Sequence, residues 1–204
     1  ELGLSWRAQG QAWSTWARAA GGYATFDSTR QLVTPSVNLI NQSSWNGFTL
    51  ALAGGASYER NFGRLSIRPE AFVEYFSLSE DGHVEEGVNS GFNLEIEDRD
   101  GHMFTGVAAV NIGYGFGQDG WIRPEVRLGW RQNFSVDPGE TIARFASGGS
   151  SFTLSPESIE GGGPIAGFSL SVGNDLGRLS VTADAEMIED YVRYVLLLRA
   201  SFRF

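Results

Sequence analysis

From residue 191 to the C-terminus the chain reads YVRYVLLLRASFRF, and its apolar and polar positions separate by parity. Tyr194, Leu196, Leu198, Ala200, Phe202 and Phe204 fall on one side, and Arg193, Arg199, Ser201 and Arg203 fall on the other. A period of two residues predicts a β-strand with one apolar and one polar face. The preceding segment repeats the pattern, with Leu179, Val181, Ala183, Ala185 and Met187 set against Ser180, Thr182, Asp184 and Glu186. WIRPEVRLGWRQNF places Ile122, Pro124, Val126, Leu128 and Trp130 opposite Arg123, Glu125, Arg127 and Arg131. RLSIRPEAFVEYF places Leu65, Ile67, Pro69, Ala71, Val73 and Tyr75 opposite Ser66, Arg68, Glu70 and Glu74.

Strand length separates two β architectures. These strands run about 11–14 residues, whereas strands of soluble domains usually run about 5–6. Tilted membrane-barrel strands need about 9–11 residues to cross. The apolar faces carry Leu, Val, Ala and Ile centrally with Trp, Tyr and Phe near the ends, the order of a lipid-facing band between aromatic girdles. Pro69 and Pro124 count against this, because each removes a ladder donor. A soluble β-sandwich remains as the weaker all-β reading.

Nine strands are predicted, over residues 1–8, 13–30, 45–61, 64–78, 102–116, 121–134, 165–174, 178–189 and 191–204. Short turns at 61–63, 117–120 and 174–177 alternate with long polar segments at 29–44, 77–101 and 135–163, and 189–190 is the one short connection on the long side. Tight turns on one side and long loops on the other mark an outer-membrane barrel. The predicted fold is therefore all-β, a transmembrane antiparallel β-barrel. Bacterial single-chain barrels close with an even number of strands, so nine are expected to be the C-terminal part of a larger barrel.

Composition removes other classes. The chain has 204 residues with 27 Gly, 13% aromatics, two His, no Cys and a net charge of −9. A disulfide framework, a thiolate nucleophile and a Cys-based zinc site are excluded, and neither a metal nor another cofactor is expected. The acidic balance and scattered arginines argue against nucleic acid. No run of 18 apolar residues predicts a membrane helix, and ELGLSWRAQGQ lacks the pattern of a signal peptide. Mean hydropathy of −0.16 suits a barrel with a polar lumen.

The inward side is the richest in chemistry. Arg68, Glu70, Glu74, Arg123, Glu125, Arg127, Arg131, Asp184, Glu186, Arg193, Arg199 and Arg203 are expected to face the lumen. There they either hold a central helix or extended chain, or neutralise one another across neighbouring strands. Leu65, Ile67, Val73, Val126, Leu128, Trp130, Leu179, Val181, Leu196 and Leu198 are expected to face lipid.

Catalytic residues are not expected. GxSxG, HExxH and GxxxxGK[ST] patterns are missing, GYGFGQ at 113–118 lacks a following helix, and Glu70 and Glu74 stand about 13–14 Å apart along one strand face. His83 and His102 are expected to be solvated. Glu80, Asp81, Glu85, Glu86, Glu95, Glu97, Asp98 and Asp100 make an acidic external segment whose spacing matches no calcium loop, so a solvated loop is predicted. Segment 135–163, rich in Gly and Ser, reads as a flexible loop.

The stretches YATFDSTRQL, GRLSIRPEAFVEYFSLSEDGHVEEG, WIRPEVRLGWRQNF, TIARFASGGSSFTLSPE and LLRASFRF, in this order, resemble the C-terminal translocator domain of autotransporters. Pro69, Tyr75 and Glu86–Gly87 look like that family's leucine-x-proline, tyrosine and glutamate-glycine stretch, and Arg144, Phe145 and Phe152 resemble its long loop before the third-last strand. The resemblance implies a twelve-stranded outer-membrane barrel of type V secretion around a helix leading to an N-terminal passenger, with three strands and that helix outside this segment. It implies outer-membrane lipid, the barrel-assembly machinery, the chain's own passenger and the inner helix as partners. Phe202 and Phe204 would form the assembly signal, although Arg199 and Ser201 stand where the family favours glycine. The function implied is export and anchoring of the passenger. The alternatives are a self-standing porin or small structural barrel, and a barrel-anchored hydrolase whose active site lies outside this segment.

Overall fold

The structure is a computed structural model and describes residues 1–35, 37–87, 90–117, 121–174 and 176–202. It comprises β1 (Leu2–Gln9), β2 (Trp13–Thr34), β3 (Val37–Tyr58), β4 (Arg60–Phe62), β5 (Leu65–Glu80), β6 (His83–Val84), β7 (Glu86–Gly87) and β8 (Leu94–Ile96). There follow β9 (Arg99–Tyr114), β10 (Ile122–Asp137), β11 (Thr141–Phe145), β12 (Phe152–Leu154), β13 (Gly161–Gly173), β14 (Gly177–Ile188) and β15 (Tyr191–Phe202). Nine of these form one antiparallel path in the order β1-β2-β3-β5-β9-β10-β13-β14-β15, with β4 and β7 pairing off it. These nine are the strands the alternation predicts. Among the described residues no helix is long and apolar enough to cross a membrane.

One register row crosses the whole path: Gln9, Ser14, Ser57, Glu70, Ala109, Gly129, Ile165, Glu186 and Arg193. It leaves β2 two residues into the strand, beside a short turn, and reaches β15 two residues past its opposite end. Such stagger is the shear that tilted barrel strands require. Because side chains alternate with period two, the polar sides of all nine strands stay on one face. The sheet curls toward that face: on β9, Thr105 is 0% and Asn111 4% exposed, while outward Phe104 and Ile112 are 37% and 40% exposed.

The outward face carries an aromatic belt at each end. Tyr23 pairs with Phe48 and Tyr75 with Phe104 at the long-loop end, while Trp13 pairs with Tyr58 by the short turns, where Tyr114 lies on the same face. Ten residues separate Trp13 from Tyr23 on β2, which is about 33 Å along the strand and about 25 Å after tilting, the height of an outer-membrane apolar band.

The strand prolines stand where a ladder ends. Pairing of β5 with β3 stops at Glu70, one residue from Pro69. Pairing of β10 with β9 stops at Glu125, next to Pro124, and pairing of β13 with β14 stops at Ile165, next to Pro164. Each proline thus sits beside the end of one ladder while staying in register with the strand on its other side, which weakens the objection the prolines raised.

The expected loops differ most from the structure. Residues 29–44 are not a loop: β2 and β3 continue in register to Thr34↔Val37, so the hairpin extends eleven residues past Tyr23, about 36 Å along the strand. The acidic segment 77–101 and the Gly/Ser segment 135–163 are folded together into a second sheet, in the order β12-β11-β8-β6. Strand pairing between segments about 50 residues apart made this cap invisible to local periodicity.

Candidate functional site

Charges on the inward face reach over a strand to meet. Arg127 on β10 lies 3.0 Å from Glu70 on β5, and Arg68 on β5 lies 3.0 Å from Glu125 on β10. Arg131 lies 3.4 Å from Glu186 on β14 and 3.7 Å from Glu74 on β5. Neighbouring strands are about 4.8 Å apart, so each of these side chains spans about 9.6 Å of wall. Arginine and glutamate are long enough together, and the small residues among those beneath them leave room. The inward face of β9 supplies Ala109 and Gly113, and that of β13 supplies Gly163 and Gly167. A Cβ on Gly163 would strike the Met187 carbonyl oxygen, and one on Gly167 would strike the Asp184 carboxylate. Arg193 meets Glu186 at 2.8 Å as a directly opposed neighbour, and Arg99 meets Glu80 in the same way farther along β9 and β5.

Charged strands β5, β10 and β14 thus alternate with β9 and β13, whose inward positions between Thr105 and Gly113 and between Gly163 and Ser171 carry no charge. Pairing across neighbouring strands, one of the two sequence readings, occurs at Glu186–Arg193 and Glu80–Arg99, and pairing across an intervening strand occurs beside it at Arg127–Glu70, Arg68–Glu125 and Arg131–Glu186. Asp184 and Arg199 have no ion pair among the described residues, and Arg203 and Phe204 lie outside them. The outward residues Leu65, Ile67, Val73, Val126, Leu128, Trp130, Leu179, Val181, Leu196 and Leu198 occupy the opposite face by register, as does Phe202. Toward β1 the inward face becomes aromatic, with Trp16 6.2 Å from Phe72 across Gly55.

The cap is fastened to the same face. Glu85 accepts hydrogen bonds from Arg30 Nε (2.8 Å) and Nη2 (2.5 Å), from Asn41 Nδ2 (3.2 Å) and from the Leu94 N–H (2.9 Å). Burial raises the affinity of this carboxylate for a proton, but the donors from Arg30, Leu94 and Asn41 outweigh it and hold Glu85 below the usual carboxylate range. Arg30 is correspondingly raised above its ordinary value by the Glu85 hydrogen bond. Glu80 accepts from Trp45 Nε1 (3.0 Å) and Arg99 Nε (2.8 Å), and Arg99 bonds Thr141 in the second loop. Arg144 grips Glu95 with both forks, at 3.0 and 2.6 Å, joining β11 to β8; this pair lowers the Glu95 carboxyl and raises Arg144.

His83 is not simply solvated. Its ring stacks on Trp45 at 4.0 Å with 7° between planes, and Trp45 stacks in turn on Phe26. His102 bonds Ser135 at 2.9 Å. Periodicity missed Arg30, Asn41, Trp45 and Arg99 because they sit in segments read as loop or beside one. Their signal was the continuation of the two-residue alternation through residues 24–30 and 41–49.

Among the described residues the wall has no arrangement of nucleophile, base and orienting group. What it offers is a set of half-buried, exchangeable ion pairs lining a concave polar surface, capped at one end. No curated protein matches the chain in sequence. A family model described as the autotransporter beta-domain matches residues 1–186. Tilted amphipathic strands with aromatic belts place the sheet in the outer membrane, and that match, over most of the chain, shows that it belongs to the autotransporter β-domain family, the barrels that export a passenger.

Proposed function

We propose that this domain anchors its passenger and guides it outward along the ion-paired wall, and that the barrel-assembly machinery folds it by pairing with the last strand, β15. The inward ion pairs carry the reading. Where the Arg and Glu partners of this wall are partly exposed, as in Arg68–Glu125 and Arg127–Glu70, they can exchange for those of an inner helix or an extended chain at little net cost, since exposed pairs are worth only about 0–1 kcal/mol each; Arg131–Glu186 is more deeply buried. Phe202 on the outward face and Phe204 supply the assembly signal.

Edge pairing also supports a larger barrel. Among the described residues β1 and β15 each pair on one side only, and an unpaired edge in lipid leaves backbone donors and acceptors unsatisfied. Three further strands of the same barrel, with the inner helix inside, meet that need.

The test is passenger exposure on intact cells, read by added protease, together with the heat-dependent gel shift of the folded barrel. Deleting Phe204 is expected to reduce the folded fraction and passenger exposure together. Unchanged insertion after that deletion overturns the assembly role.

A further inference from the structure

At the short-turn end of the wall the ion-pair balance breaks down. A recess of about 370 Å³ is lined by Arg68, Arg123, Arg178 and Arg199 against a single carboxylate, Glu125. Glu125 is shared between Arg68 (3.0 Å) and Arg123 (3.8 Å), and Arg123 also reaches Glu59 at 3.2 Å. Arg178 and Arg199 have no ion pair among the described residues. Their register partners are Ser201 and Ser180, so the two guanidinium groups sit on diagonal positions of one face of β14 and β15, where like charges repel.

A further observation points to an anionic occupant. Ser169, Ser171, Ser180 and Ser201 line the same recess with hydroxyl donors, and they add no negative charge to that of Glu125. Guanidinium forks with hydroxyls are the chemistry that binds an oxyanion through charge-assisted hydrogen bonds. Higher on this wall the arginines meet glutamate, which makes carboxylate the matching anion.

We propose that this recess is a binding site for acidic side chains of a polypeptide lying in the lumen, with Arg178 and Arg199 as its principal contacts. The inference rests on the translocator reading and adds the chemistry of the segment held: Asp or Glu, at the short-turn end. Arg178 stands outside the inward charges picked from the sequence because it opens its strand beside a turn.

The full chain folded in detergent micelles is titrated with a fluorescent peptide of alternating Glu and Ser, and with its Lys-Ser counterpart. The Glu-Ser peptide is expected to bind, and R178Q/R199Q to weaken it about tenfold or more, the loss of one to two charged hydrogen bonds. R178K/R199K is expected to restore part of the affinity. Equal binding of both peptides, unchanged binding by R178Q/R199Q, or displacement of the Glu-Ser peptide by inorganic phosphate at equal charge overturns the proposal, the last by making it a free-anion site.

A second measurement avoids arginine variants altogether. The chain has no cysteine, so Ser180→Cys places one thiol in the recess. A sulfonate-bearing thiol reagent is expected to react about fivefold or more faster than a trimethylammonium analogue, as a positive recess concentrates anions; equal rates overturn the site. The two readings fail separately. Peptide binding with passenger exposure independent of this domain sinks the translocator, whereas exposure without binding sinks the recess alone.

Discussion

Arg127 Nη2 lies 3.0 Å from Glu70 Oε1 with the full width of β9 between their strands. The contact runs diagonally over β9, from Arg127 opposite Asn111 to Glu70 opposite Ala109, and the short Ala109 leaves the Glu70 side of that path open. An inward wall of this kind is designed around what lies under the side chains as much as around the charges.

Replacing Ala109 by Leu is therefore expected to part Arg127 from Glu70 and to destabilise the barrel by about 1–3 kcal/mol, the usual range for overpacking. Glu70→Gln alone is expected to cost about 1 kcal/mol or less, because both side chains keep access to water. Urea titration of the folded barrel in vesicles measures both, and equal effects would show that β9 clearance does not matter.

Gly163→Ala is expected to be more damaging than Gly129→Ala is to local pairing of β13 with β14, since the new methyl meets the rigid Met187 carbonyl. A shift of about 1–3 kcal/mol is expected. The melting temperature of the heat-modifiable band is the readout, and wild-type behaviour would contradict the close approach.

Outward Leu128 lies near the middle of β10, between Trp121 and Phe134. Leu128→Arg is expected to cost about 2–4 kcal/mol in lipid, as for other mid-depth charges on a barrel exterior. Fraction inserted into vesicles against urea checks this; an insensitive site would place Leu128 away from the apolar band.

The cap is expected to loosen in acid. Glu85 is depressed in the folded chain, so its contribution is fully present above the ordinary carboxylate value and is lost as pH falls through its lower folded value. Glu95, lowered by Arg144, works in the same direction. Hydrogen exchange over residues 83–96 is expected to quicken as pH drops below about 4.5, after correction for intrinsic rates. Glu85→Gln is expected to quicken it already at pH 7. Cap protection independent of both would show that strand pairing, not the carboxylate, holds the cap.

Parity alone placed Glu70, Arg127, Glu186 and Arg193 on one face and Val73, Leu128 and Leu198 on the other. It could do so because a strand presents alternate residues to opposite sides whatever its neighbours are. The same rule located nine strands, since each is long enough for the alternation to stand clear of chance.

Tertiary structure decided who meets whom. Arg127 finds Glu70 rather than a residue on β9 because its register partner there, Asn111, carries no charge and Ala109, opposite Glu70, is short. Glu95 meets Arg144, and Glu85 meets Arg30, across 49 and 55 residues of sequence. No local period encodes such pairs. Alternation is a property of single strands and is written in order along the chain; the cap, the strand-skipping ion pairs and the arginine recess depend on distances between strands, which exist only once the sheet has curled.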